Sequence, residues 1–172
     1  RLHKLELTWV GKYDEKPALE PRILIENPEY SYGDGDTGNM LIHGDNLLAL
    51  KALEQDYAGK VKCIYIDPPY NTGHAFEHYD DGVEHSLWLS LMRDRLKLLH
   101  NLLVENGVLM INLDEVEHAY CKVLCDEIFG RQNFIGDLIW QKRKGGGNDS
   151  RFFALDHDYI IVFVKNSDKK TH

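Results

Sequence analysis

Cysteine, proline and positive charge are all scarce in this chain. Its three cysteines, Cys63, Cys121 and Cys125, are too few and too unevenly spaced for a disulfide framework. They read as free thiols of a reducing compartment, which points to the cytoplasm. No apolar run approaches the roughly 18 residues a membrane-spanning helix needs. No basic-then-apolar leader opens the chain, so no secretion signal is expected. The first residue is Arg1 rather than Met, which suggests a trimmed start. Lys and Arg number 20 against 28 Asp and Glu, a net charge of −8. That balance weighs against broad, non-specific binding of nucleic acid, although local basic patches count for more than the sum. What is present fits a globular chain. A content of 43% hydrophobic and 28% charged residues excludes collagen-like and disordered classes, and the length suits one domain or a large piece of one.

Residues 1–39 lack sustained periodicity. They hold Pro17, Pro21 and Pro28 and the turn-rich run from Tyr32 to Gly38, and read as an irregular arm. Asp34, Asp36 and Gly38 have the spacing that opens a calcium loop, but no Glu closes it at the twelfth position. From residue 40 to 172 the pattern becomes that of an α/β unit. Met40–His43 is a short apolar run ahead of Gly44-Asp45. Asn46 can cap a helix carrying Leu47, Leu48, Leu50 and Leu53. Val61–Ile66 is a strand rich in β-branched residues. A helix is predicted from about His85, with Leu87, Leu91, Leu98, Leu99, Leu102 and Leu103 on its core face, ended by Asn106-Gly107. Val108–Leu113 is a buried strand. Asp114–Phe129 is a further helix, stopped by Gly130. Phe134–Trp140 and Asp158–Val164 read as strands joined by the basic, glycine-rich loop Lys142-Arg143-Lys144-Gly145-Gly146-Gly147. Strands alternating with helices predict a doubly wound, largely parallel sheet with helices on both faces. The last two strands, with no helix between them, predict an antiparallel hairpin at one edge.

In an open α/β sheet, ligands sit beyond the carboxyl ends of the strands. Asp67-Pro68-Pro69-Tyr70 lies at such an end. Two consecutive prolines fix the backbone and remove two N–H donors. An acidic side chain, a held-out carbonyl and an aromatic ring then converge on one small volume. The set suits a planar group bearing –NH2. Asp67 and the Pro68 carbonyl can each accept one amine hydrogen while Tyr70 stacks on the ring.

The run Asp67-Pro68-Pro69-Tyr70-Asn71-Thr72-Gly73 resembles the catalytic motif of amino-group DNA methyltransferases that use S-adenosylmethionine. Leu41–Asn46, His85–Leu89, Val108–Asp114, Cys125–Gly130 and Asp156–Ile160 resemble the modification subunit of type III restriction-modification systems. The likeness runs from about Tyr30 to Asn166. It implies the Rossmann-like fold of S-adenosylmethionine-dependent methyltransferases, incomplete in this chain. It implies that an adenine is flipped out of duplex DNA and methylated at N6, since Asp at the first motif position is usual in adenine enzymes. Asp67, Pro68, Pro69 and Tyr70 would then be catalytic, and Gly44, Asp45 and Asp67 would contact the cofactor. The alternative is that Asp45 or Asn46 simply caps the helix, and the pair could do both. The resemblance further implies a homodimer and a helicase-nuclease restriction subunit as partner.

This family is circularly permuted, with the catalytic half ahead of a glycine-rich cofactor loop, Phe-x-Gly-x-Gly-Thr. That loop is not found here; Gly145-Gly146-Gly147 opens no helix and does not replace it. Nor is there room for a target-recognition domain. The chain is therefore expected to be a piece of a longer enzyme, inactive alone and prone to associate through bare sheet edges. Lys142, Arg143 and Lys144 can line DNA phosphates or be ordinary loop charge. Trp140 can face a base or pack in the core or at an edge. His118, Cys121 and Cys125 share a helix face without a fourth ligand cluster, so no metal is expected. His74, His78 and His85 read as solvated loop histidines. Asn112 and Asp114 face the same crevice as Asp67, either shaping it or capping the next helix. Two alternatives remain open: a methyltransferase for cytosine N4, RNA or a protein amide, and a non-catalytic remnant that binds DNA or a partner subunit.

Overall fold

The computed structural model describes residues 6–15, 17, 19–20, 22–69, 81–142, 153 and 155–168. Before the first helix their backbone is irregular apart from one 3-10 turn, Gly35–Thr37. The irregular stretch continues through Asp45 instead of ending at residue 39. Met40–His43 forms no strand: Leu41 is 99% exposed. A strand needs a hydrogen-bonding neighbour, and none lies beside this run among the described residues.

Helix α1, Asn46–Tyr57, is capped by Asp45 rather than Asn46; the Asp45 side chain accepts from the Leu47 and Leu48 N–H groups. Strand β1, Val61–Ile66, falls where the β-branched run predicts. Helix α2, Asp81–Leu102, starts before His85 and ends ahead of Asn106-Gly107. Leu103 belongs to β2, Leu103–Leu113, whose register with β1 slips: Val61 faces Leu103 while Cys63 faces Val108. Gly107 sits in this slip. A Cβ there would lie 2.8 Å from the Leu103 side chain and 2.9 Å from the Val104 carbonyl oxygen, so only glycine fits without a shift.

Helix α3, Glu115–Cys125, is capped by Asp114 and runs on as a π-helical turn, Asp126–Gly130. Strands β3, Phe134–Gln141, and β4, His157–Val164, form the expected antiparallel hairpin. The sheet order is β1-β2-β4-β3, with β1 parallel to β2 and β4 antiparallel to both neighbours. The carboxyl ends of β1, β2 and β3 therefore meet the amino end of β4 at one end of the sheet.

The described residues wind the sheet on one face only, where helices on both faces were expected. Trp88, Leu89, Met92, Leu96 and Leu99 of α2 and Cys121, Leu124 and Cys125 of α3 join Leu109, Ile111, Leu113, Ile161 and Phe163 of the sheet in a single buried cluster. The reason is strand order. From β1 to β2 and from β2 to β3 the chain steps in the same direction, and right-handed crossovers then lay both helices on the same side. On the opposite face Tyr65, Leu138 and Trp140 are more than half exposed.

Segment 6–13 of the arm is bound to this body. Glu127 accepts from the Leu7 N–H at 2.6 Å and from the Lys12 ammonium at 2.9 Å, and Trp9 donates to Ser90 Oγ at 2.8 Å. Burial alone would push the Lys12 pKa down; hydrogen bonds to Glu127 and Glu6 outweigh it and hold the pKa above its ordinary value.

Candidate active site

The Asp67–Pro69 turn follows β1 directly, at the end of the sheet where three strands finish. Asp67 is exposed, and its Oδ1 accepts from Asn112 Nδ2 at 3.3 Å. Asn112 lies near the carboxyl end of the neighbouring strand and is itself almost fully buried. The Pro69 carbonyl accepts from the Trp88 indole N–H at 2.9 Å. The Asp67 carboxylate is thus presented from a turn braced through Asn112 and through Trp88. Tyr70, Asn71, Thr72, His74 and His78 lie outside the described residues.

The next positions along this end of the sheet are also polar. Asp114 caps α3 by accepting from the Val116 N–H at 3.0 Å, so Asn112 braces Asp67 while Asp114 serves as cap. Burial holds the Asp114 carboxyl above its ordinary pKa, against the hydrogen bond from Val116 and the attraction of Lys142. Lys142 stands at the end of β3, its ammonium 2.6 Å from the buried Asp158 carboxylate. Its N–H donates to the Asp156 carbonyl at 2.7 Å, closing the mouth of the hairpin loop. Of the three basic loop residues, Lys142 is placed at the end of the sheet that carries the Asp67 turn and is committed to an ion pair. Arg143 and Lys144 lie outside the described residues.

Asp45 is bonded to its own helix through Oδ1 and has Oδ2 3.9 Å from Arg95 Nη2. Gly44 has φ +151°, and the space where its Cβ would stand is open, so a side chain would strain the backbone there. Asp45 thus has one carboxylate oxygen outside the cap, beside an open backbone, able to accept from an amine or hydroxyl.

Other predicted positions resolve as packing. Cys121 and Cys125 are fully buried, and their mutual hydrogen bond, with burial, raises the Cys125 thiol well above its ordinary pKa. His118 stacks on Tyr159 and lies 3.2 Å from Asp137. No group of three or more metal-ligating side chains occurs among the described residues. Trp140 is 61% exposed on β3 and packs in no core. His85, expected in a solvated loop, lies in α2 with Nδ1 2.7 Å from the fully buried Glu117. Trp88, whose indole braces the Pro69 carbonyl, was not among the residues the sequence pointed to. Its position in the motif His85–Leu89 was the only signal, because an indole's acceptor is decided by tertiary packing.

A mixed sheet with this strand order, and an acidic, proline-fixed turn at its carboxyl end, define a methyltransferase-like α/β unit. Residues 61–172 match the DNA methylase family of N6 and N4 enzymes, and the chain belongs to that family. It is 42% identical to the HindVI Mod subunit of Haemophilus influenzae, over 76% of this chain and 18% of that protein. It is 36% identical to the Mod subunit of the type III restriction-modification enzyme EcoP15I of Escherichia coli, over 95% of this chain and 30% of that protein. The chain thus spans less than a third of the length of these relatives. Among solved structures, TTHA0409 of Thermus thermophilus, a DNA modification methylase complexed with S-adenosyl-L-methionine, superposes with a TM-score of 0.55 at 20% identity. That superposition covers 71% of this chain and 54% of the other.

Proposed function

We propose that the protein containing this chain transfers a methyl group from S-adenosylmethionine to adenine N6 in duplex DNA, as the modification subunit of a type III restriction-modification system. The observation that carries the reading is the braced Asp67–Pro69 turn at the carboxyl end of β1, in a chain of the DNA methylase family.

An exocyclic amine is a poor nucleophile because its lone pair is delocalised into the ring. Two acceptors, the Asp67 carboxylate and the Pro68 carbonyl, favour a more pyramidal nitrogen. The carboxylate also stabilises the positive charge that develops there. Both acceptors are fixed beforehand, so little reorganisation is needed during reaction. Asp67 is open to solvent and can pass the amine proton to water once the new N–C bond has formed. Tyr70 stacks on the base, which must leave the helix to reach the turn. S-adenosylmethionine supplies an electrophilic methyl on a cationic sulfur, which departs as a neutral thioether. The donor set fits it at Asp45 and Gly44, where a carboxylate oxygen outside the helix cap, 3.9 Å from the Arg95 guanidinium, lies beside open backbone.

Arg143 and Lys144 contact DNA phosphates, and Lys142 anchors their loop through Asp158. The enzyme works as a homodimer with a helicase-nuclease restriction subunit, in the cytoplasm. Three free thiols support that compartment, and no helix among the described residues is long and apolar enough to cross a membrane. The test is transfer of radiolabelled methyl by the full-length protein to duplex DNA, RNA and protein side by side, with calorimetric titration of S-adenosylmethionine into the parent protein and its Asp45→Ala variant. Label on duplex DNA alone, with weaker cofactor binding in Asp45→Ala, is expected. Label on RNA or protein would replace the reading, and saturable cofactor binding without transfer would favour a non-catalytic remnant.

A further inference from the structure

The Asp67–Pro69 turn has few free torsions, and the molecule locks the one that matters. Proline rings fix φ at Pro68 and Pro69. Asp67 and Pro68 each precede a proline, which confines their ψ to the extended range. The remaining soft torsion is ψ of Pro69, the angle that orients the Pro69 carbonyl. That carbonyl receives the Trp88 indole N–H at 2.9 Å. Trp88 is 1% exposed and wedged in the core cluster with Leu89, Met92 and Leu96, so the donor itself cannot swing. The turn is pinned at one end by β1, hydrogen-bonded in register with β2, and at the other by Trp88. The Pro68 carbonyl lies between the two pins.

A buried indole N–H needs some acceptor, and most tryptophans find one of no functional consequence. Here the acceptor is the last residue of the amine-gripping turn, reached from a helix that begins only after the intervening segment 70–80. Resting on the proposed methyl transfer, we propose that Trp88 is a positioning residue for that reaction. Its indole N–H holds the Asp67–Pro69 turn so that the carboxylate of Asp67 and the carbonyl of Pro68 meet the amine together. The residue touches neither substrate nor cofactor; it acts through Pro69.

A residue that only filled the core would, when altered, lower stability without singling out the chemical step. A positioning residue slows the chemical step and spares binding. The test uses the full-length protein and its Trp88→Phe variant, which keeps a buried ring and removes the N–H. Three quantities are measured in each: the single-turnover rate of methyl transfer, the dissociation constants for S-adenosylmethionine and duplex DNA, and the melting temperature. The indole proton resonance of Trp88, assigned by its loss in the variant, reports the bond itself. It should be shifted downfield and exchange slowly. The expected result is a rate at least tenfold lower, with both dissociation constants within about threefold of the parent.

An active parent whose folded variant transfers methyl at an unchanged rate overturns the assignment and leaves the methyltransferase reading intact. So does a variant that loses binding and rate in equal measure, or an indole proton that exchanges freely. A parent that transfers no methyl to DNA overturns the methyltransferase reading, and the role of Trp88 falls with it. Should Trp88→Phe fail to fold, Trp88→Tyr, with a larger ring but no donor at the indole position, must show the same slow chemistry.

Discussion

Asp67 combines two requirements that pull apart: it must be open to a substrate, and its carboxylate must not rotate. Exposure satisfies the first, and the bond from the buried Asn112 satisfies the second. At 3.3 Å this is a long hydrogen bond, yet it restrains the carboxylate on the side that faces β2. Asn112→Ala is expected to lower the single-turnover rate of the full-length enzyme about tenfold, with cofactor affinity unchanged. Rapid-quench kinetics beside calorimetry checks this, and an unchanged rate would mean that the bond does nothing for catalysis. The residues at this end were unequally legible. Asp67-Pro68-Pro69 declares itself, because two prolines after an acid at the end of a β-branched run have few structural uses. Asn112 and Asp114 could be placed in the crevice, since both close the next parallel strand, but their division of labour depends on which side chain reaches which neighbour. Trp88 finds Pro69 only through the packing of α2 against the sheet, and local sequence says nothing of that.

Among elements, α1 is the most weakly attached helix, half exposed along much of its length and seated on α2. Its polar ties to α2 include Asn46, which accepts from Arg95 at 2.6 Å, and Glu54, which accepts from Asn101 at 2.8 Å and, within α1, from Lys51 at 2.6 Å. The bonds to Glu54, Lys51 first, hold its carboxyl below its ordinary pKa. A carboxylate whose pKa is depressed by folding stabilises the fold above its unfolded pKa of about 4.3 and loses that contribution as pH falls through the lower, folded value. Glu54→Gln should therefore cost roughly 0.5–1 kcal/mol at neutral pH, and the two proteins should converge in acid below the folded pKa. Denaturant titrations at neutral and acid pH measure the difference; a gap that persists in acid would assign the effect to shape rather than charge.

Boundaries were legible at this scale where chemistry marks them: a β-branched run for β1, Asp114 and Gly130 for α3 and the turn that continues it, and a basic loop for the β3–β4 hairpin. They failed where tertiary partners decide. Met40–His43 has the composition of a strand and no neighbour to pair with. Leu103 fits the helical period of α2 yet is taken by β2, because its backbone pairs with Val61.

Among the described residues, one face of the sheet carries the helices and much of the other is exposed. Tyr65, Leu138 and Trp140 present large apolar surfaces there, beside the half-buried Met110 and Ile160. The alternation of strands and helices announces a wound sheet; which face each helix covers follows from strand order, which the sequence pattern does not contain. A contiguous apolar face of this kind is rarely left to water. The 172-residue chain by itself is expected to bind an environment-sensitive apolar dye strongly and to elute above its monomer mass, whereas the longer protein should leave the dye unbound. A dye-silent, monomeric chain would show that the face is covered from within, by residues of this chain.

The account stands or falls on what Asp67 does to an adenine amine. The direct measurement is mass spectrometry of nucleosides from duplex DNA incubated with S-adenosylmethionine and the full-length protein, parent or Asp67→Asn. N6-methyladenine from the parent, falling at least a hundredfold in the variant while cofactor binding persists, is the predicted result. Methylcytosine alone, or N6-methyladenine formed equally well without the Asp67 carboxylate, would contradict it.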